Sequence, residues 1–96
     1  MNKNDILRIL AANRDRLNDF SVKSLSIFGS VARDEAANGS DVDILVEFNK
    51  PTGLFGFIRL MHYLEEILGV KVDLATPNAL RVEMREQILK EAIRAA

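Results

Sequence analysis

Three short segments of strand character alternate with four of helical periodicity along 96 residues, and this alternation restricts the chain to a small sheet backed by helices, in the α/β or α+β class. Ile6, Leu7, Leu10, Ala11 and Leu17 recur at helical spacing behind Asn4 or Asp5 as N-cap, which predicts a helix from residue 4 to about 17. Ser24-Leu25-Ser26-Ile27-Phe28 is short, leans to β and stops at Gly29-Ser30, with a short helical stretch expected over residues 31–37. After the loop Ala37-Asn38-Gly39-Ser40, residues 41–48 form the second strand, closed by Asn49-Lys50-Pro51-Thr52-Gly53. Leu54, Phe57, Ile58, Met61, Leu64, Ile67 and Leu68 then mark a helix of about fifteen residues, stopped by Gly69. Residues 70–74 supply the third strand. Thr76-Pro77 is a helix start, and Leu80, Met84, Ile88, Leu89, Ala92 and Ile93 give the last helix its apolar stripe. The expected order is αβαβαβα in a three-stranded or slightly larger sheet, and the pattern leaves strand order and direction open.

The length fits one domain over residues 1–96, and 48% hydrophobic with 28% charged residues is the balance of a globular chain. The absence of cysteine excludes disulfides, thiolate zinc sites and thiol nucleophiles, and a single histidine excludes a multi-histidine metal site. Thirteen basic against fourteen acidic residues leave a net charge of −1, which offers no general field for a nucleic acid. The N-terminus lacks the apolar stretch of a signal peptide, and no apolar run approaches the roughly 18 residues of a membrane span, so the expected location is the cytoplasm with no membrane partner.

Chemistry concentrates on a few acids. Asp41 and Asp43 are two apart on a strand, so both leave one face about 6.5–7 Å apart. Carboxylates beside Val42, Ile44 and Val46 are costly unless paired, solvated or holding a cation. Taken alone, such a pair is better explained as a solvated strand start just after a turn. Upstream, Gly29-Ser30 ends another strand, where glycine admits close approach of an anion and Ser30 adds amide and hydroxyl donors. Asp73, between Val72 and Leu74, is a third carboxylate on the third strand, with a salt bridge to a helix Lys or Arg, or an edge position, as its alternative explanation. Together these residues suggest a site for magnesium and phosphate.

Phe28-Gly29-Ser30, then after ten residues Asp41-Val42-Asp43-Ile44, and later Val72-Asp73-Leu74, resembles the signature of the DNA polymerase beta-like nucleotidyltransferase superfamily. The stretches Ser26 to Arg33, Gly39 to Asp43 and Val70 to Thr76 are similar to the minimal nucleotidyltransferases, the antitoxin partners of HEPN-domain toxins. The resemblance runs from about residue 4 to 94. Asp34 departs from it, since these small proteins usually continue Ala-Arg with glycine.

The resemblance implies an enzyme that moves AMP from ATP onto a hydroxyl, a tyrosine of the partner HEPN toxin, and so neutralises that toxin in a hetero-oligomer. It implies two Mg²⁺ ions on Asp41, Asp43 and Asp73, with Asp73 also able to take the proton. Gly29, Ser30, Arg33 and Ser40 are the expected nucleotide-binding residues. A core this small would leave the acceptor to a partner, and Leu54-Phe55-Gly56-Phe57-Ile58 is a candidate docking segment, with burial as the alternative for Phe55. Two other functions fit the same residues: an antitoxin that acts by binding alone, and a nucleotidyltransferase subunit for a small molecule such as an antibiotic. His62 and Tyr63 receive no role.

Overall fold

The computed structural model describes residues 2–35 and 41–96. The expected loop at Ala37-Asn38-Gly39-Ser40, and the end of the stretch expected over residues 31–37, lie outside the described residues.

The chain opens with helix α1, Lys3–Ala12. Asn2 is its N-cap: the Asn2 side chain accepts from the Asp5 amide at 2.9 Å, and the Asn2 amide donates to the Asp5 carboxylate at 3.3 Å. Asp5 therefore serves as the third residue of a capping box, which corrects the expected start at Asn4 or Asp5. Asn13 ends α1 and α2, Arg14–Asp19, follows, so the predicted first helix is two. The Asn13 side chain donates to the Ile9 carbonyl at 2.8 Å and accepts from the Tyr63 hydroxyl at 3.0 Å, pinning the break to a later helix. Tyr63 also stacks on Phe20 at 5.1 Å, which makes it a packing residue.

Strands β1, Val22–Phe28, and β2, Val42–Phe48, pair antiparallel. Helix α3, Gly29–Ala32, is a single turn between them, shorter than expected. Helix α4, Leu54–Leu68, carries the chain over to β3, Val72–Ala75, which pairs parallel to β2. This crossover is a βαβ unit, and its helix covers one face of the sheet. Leu60, Leu64 and Leu68 of α4 meet Ile6 and Leu10 of α1, Leu25 and Ile27 of β1 and Ile44 and Val46 of β2 in one apolar cluster. Gly69 closes α4 in the left-handed region, φ 68°, its N–H donating to the Glu65 carbonyl at 2.8 Å, as expected from the sequence.

The last quarter differs from the expected helix. Thr76-Pro77 begins only a 3₁₀ turn, Pro77–Ala79, without a side-chain cap. Helix α5, Val82–Glu91, has no buried residue, and its Met84 and Leu89 are exposed. The chain turns extended at Ala92, and Ile93–Arg94 form β4 against β1, with Ile93 opposite Ile27. The sheet has four strands in the order β3-β2-β1-β4, mixed in direction. The open edge of β1 offered Ile93 backbone partners and core contact, and this tertiary gain outweighed the helical pattern. No helix of the described residues is long and apolar enough to cross a membrane.

Packing sets a clear contrast. Leu64, with no exposed surface, should cost about 3 kcal/mol when changed to Ala, whereas Phe55→Ala, at a residue 80% exposed, should cost less than about 0.5 kcal/mol. Urea unfolding midpoints of the two variants check this.

Candidate active site

Strand register brings two of the three sequence-predicted acids, Asp43 and Asp73, side by side. Phe28, the last residue of β1, lies opposite Asp43, and Asp43 lies opposite Asp73 on β3. Residues directly opposite in a sheet share a face, and neighbouring strands run about 4.8 Å apart. Because Leu25, Ile27, Ile44, Val46 and Leu74 point into the core, the row Phe28-Asp43-Asp73 occupies the other face. Asp41 precedes β2 by one residue and is exposed, as is Asp73, while Asp43 is half-buried.

Gly29 makes room for this row. It holds φ +72°, in the left-handed region, and starts α3 directly from the end of β1. A Cβ built there would collide with the Asp43 carboxylate, 3.0 Å from its Cγ and 3.3 Å from its Cβ. Backbone conformation and space both demand glycine at this position. The first amides of α3, at Gly29 and Ser30, have no partner inside so short a helix and lie at the same strand end as the carboxylates.

Burial pushes the Asp43 carboxyl above the ordinary aspartate range, the charge of Asp73 and hydrogen bonding with it push the same way, and Asp41 adds to the effect. Arg33 works in the opposite direction, which places a cation within electrostatic reach of the row. Among the described residues no three acidic side chains yet surround a single point at ligand distances. Their chemistry nevertheless fits a hard divalent cation: carboxylate oxygens from two adjacent strands, mutually repelling at Asp43.

Arg33 follows α3, its amide donating to the Gly29 carbonyl at 3.2 Å. Its guanidinium is held by Glu35, Nε to Oε2 at 3.1 Å, and by Glu91, Nη1 to Oε2 at 3.3 Å. These carboxylates raise the Arg33 pKa further. Neither glutamate is distinguishable in the sequence, since one is a loop acid and the other an ordinary acid near the end of an amphipathic helix. Asp34 takes φ +58°, a left-handed conformation that suits glycine and that aspartate is among the few other residues to tolerate. Lys3 holds its carboxylate at 3.0 Å. Ser40, expected to contact nucleotide, lies outside the described residues. His62 is exposed on α4. A cavity of about 510 Å³ lined by Arg14, Leu17, Val22, Lys23 and Arg94 contains none of these acids; it opens at the start of β1, about 20 Å along the strand from Phe28.

The family model described as nucleotidyltransferase domain matches residues 6–95. Protein adenylyltransferase MntA of Thermococcus cleftensis is 40% identical over 90 residues, covering 93% of this chain and 91% of the relative. A solved "putative minimal nucleotidyltransferase" superposes with a TM-score of 0.83 at 36% identity, covering 97% of this chain and 95% of the other. A solved complex of a tri-AMPylated Shewanella oneidensis HEPN toxin with MNT antitoxin aligns with a TM-score of 0.65, covering 94% of this chain and 71% of the other, and at 17% identity it shows a shared fold.

Two outcomes follow from the site itself. Since the folded state raises the Asp43 pKa, the unfolded chain ionises first as pH rises, so ionised Asp43 destabilises the fold above its raised pKa and has no effect once both states are protonated. Asp43→Asn should therefore melt a few degrees above the metal-free wild type at pH 7, and the difference should vanish near pH 3, as calorimetry can read. At Asp34, a Val substitution should cost about 1–2 kcal/mol through left-handed strain, and Asp34→Gly should stay within about 1 kcal/mol of wild type by urea unfolding.

Proposed function

The chain belongs to the nucleotidyltransferase domain family, and from that membership we propose that it transfers AMP from ATP to a hydroxyl, a tyrosine, of a partner HEPN toxin and so acts as the toxin's antitoxin. The observation that carries the proposal is the row of acids at the ends of β2 and β3, set against the glycine that starts α3. A protein that worked by binding alone would not need a half-buried carboxylate facing two others beside a glycine demanded by both space and backbone. The name of the Thermococcus relative, matched over nine-tenths of both chains, supports adenylyl transfer. The AMPylated toxin bound to the Shewanella antitoxin supports the choice of partner.

In this reading the Gly29 and Ser30 amides and the Arg33 guanidinium take the β- and γ-phosphates, where negative charge grows as pyrophosphate leaves. Asp41, Asp43 and Asp73 would hold magnesium, which when bound supplies charge neutralisation and lowers the pKa of the attacking hydroxyl. The acceptor oxygen forms a bond to the α-phosphorus while the bond from that phosphorus to the bridging oxygen of pyrophosphate breaks. The proton of the acceptor passes to Asp73. Ser40, next to Asp41 in sequence, adds a hydroxyl for the nucleotide.

The acceptor arrives on another chain. Leu54 and Phe55 at the start of α4, and Val82, Met84 and Leu89 on α5, are large apolar side chains left exposed, which supports a partner-covered surface and a hetero-oligomer. ATP as donor goes with a cytoplasmic address.

Incubation of wild type with the toxin, Mg²⁺ and ATP labelled at either the α- or the γ-phosphate tests the proposal. Label from the α-position alone should enter the toxin, and Asp41→Asn/Asp43→Asn should lower the rate by at least about a thousandfold. Toxin neutralised without label, equally by wild type and the double variant, would overturn catalysis. Label in a small molecule and none in protein would overturn the protein acceptor.

A further inference from the structure

Two glutamates beside a cation meant for phosphate look counterproductive, because each brings negative charge toward a site for a polyanion. Their geometry gives them a use. Glu35 occupies Nε of Arg33 and Glu91 occupies Nη1. A guanidinium has five N–H donors in a fixed plane, so an acid on each of these two nitrogens leaves Nη2, among the described residues, as the end of the fork without an acid.

Glu91 is itself held in place by the fold. It is the last residue of α5, and two residues later Ile93 pairs with Ile27, which in turn lies two residues before Gly29. The other end of α5 is anchored by Arg85, whose Nε donates to the Pro77 carbonyl at 3.1 Å and whose Nη2 donates to the Leu80 carbonyl at 3.2 Å. Arg33 is one helical turn from Gly29, and Gly29 abuts the Asp43 carboxylate. A pair of hydrogen bonds from separate parts of the chain thus fixes a long side chain beside β1 and β4, within electrostatic reach of Asp43.

We propose that Glu91 is a positioning residue that acts through Arg33, bracing the guanidinium with Glu35 so that its Nη2 end meets the triphosphate. The inference rests on the nucleotide reading of the site given above. Arg33 without its brace keeps its charge but samples many rotamers, and it then contributes to affinity as a loose surface cation. Both carboxylates are partly exposed, with 63% and 31% of the Glu35 and Glu91 side chains accessible, so solvent screens the repulsion they exert on phosphate while the orientation persists.

Binding of a non-hydrolysable ATP analogue with Mg²⁺, measured by equilibrium dialysis on wild type, Glu91→Ala, Glu91→Gln, Arg33→Ala and the Arg33→Ala/Glu91→Ala double variant, tests the brace. Glu91→Ala should weaken affinity about tenfold, and Glu91→Gln, which keeps an acceptor oxygen, should stay within about threefold of wild type. In the Arg33→Ala background the Glu91→Ala change should do nothing further, because the path it acts through is gone. Metal-free melting temperatures of the single variants should lie close to wild type, as expected for an exposed ion pair. Equal or tighter binding by Glu91→Ala would overturn the inference, since Glu91 would then merely repel phosphate. The same loss in both backgrounds would also overturn it, by making Glu91 a general structural residue. If wild type itself fails to bind the analogue, the nucleotide reading fails, and the brace with it.

Discussion

The Asp43 carboxylate lies where a side chain on residue 29 would have to be, and the rest of the candidate site is arranged around that exclusion. Glycine at 29 lets the chain leave β1 with positive φ and begin a helical turn at once. It also leaves space for an acid on the neighbouring strand. A larger residue would have to displace either the backbone of α3 or the carboxylate, and both belong to the same strand-end site. Strain in the backbone and charge crowding in the side chains are therefore concentrated within a few residues.

The fold tolerates this because its two sheet faces are kept separate. Leu25, Ile27, Ile44, Val46 and Leu74 pack under α1 and α4, while Ser26, Asp43, Leu45, Asp73 and Ala75 share the opposite face. Alternation along a strand makes the division strict: moving β2 by one residue would bury Asp43 and expose Ile44. The same hydrophobic pattern that closes the core thus aims the acids away from it. Helices α1, α2 and α4 contribute the buried Ile6, Leu10, Leu17, Leu60, Leu64 and Leu68, whereas α5 contributes none and is tied to the rest by the hydrogen bonds of Arg85, by Glu91 and by β4. The main apolar cluster lies on one side of the sheet, and Asp43 and Asp73 lie on the other.

Much of this was legible in the chain. Helix α4, from Leu54 to its glycine stop at Gly69, has both a clear apolar period and a local terminator, and local signals sufficed. Asp41, Asp43, Asp73 and Gly29 announced themselves as acids among β-branched residues and as a glycine ending a strand. The fourth strand was hidden because Ile93 and Arg94 pair with residues almost seventy positions away, and no local pattern records such a partner. Asn2 is not distinguishable as the first cap by pattern, because Asn4 and Asp5 carry the same local chemistry. Phe55, an aromatic next to an apolar stripe, is 80% exposed against the usual preference of its type. Glu91 could not be found in advance either, since its meaning comes wholly from the guanidinium it touches.

The crowding of carboxylates at the strand ends can be read directly by carbon-detected nuclear magnetic resonance of the Asp43 carboxyl across a pH titration. In the metal-free wild type the Asp43 midpoint should lie above the ordinary aspartate value, and it should move down in Asp73→Asn and on addition of Mg²⁺ with a non-hydrolysable ATP analogue. A midpoint in the ordinary range, unmoved by Asp73→Asn and by Mg²⁺ with nucleotide, would mean that the acids do not share a site and would contradict the placement of chemistry at this end of the sheet.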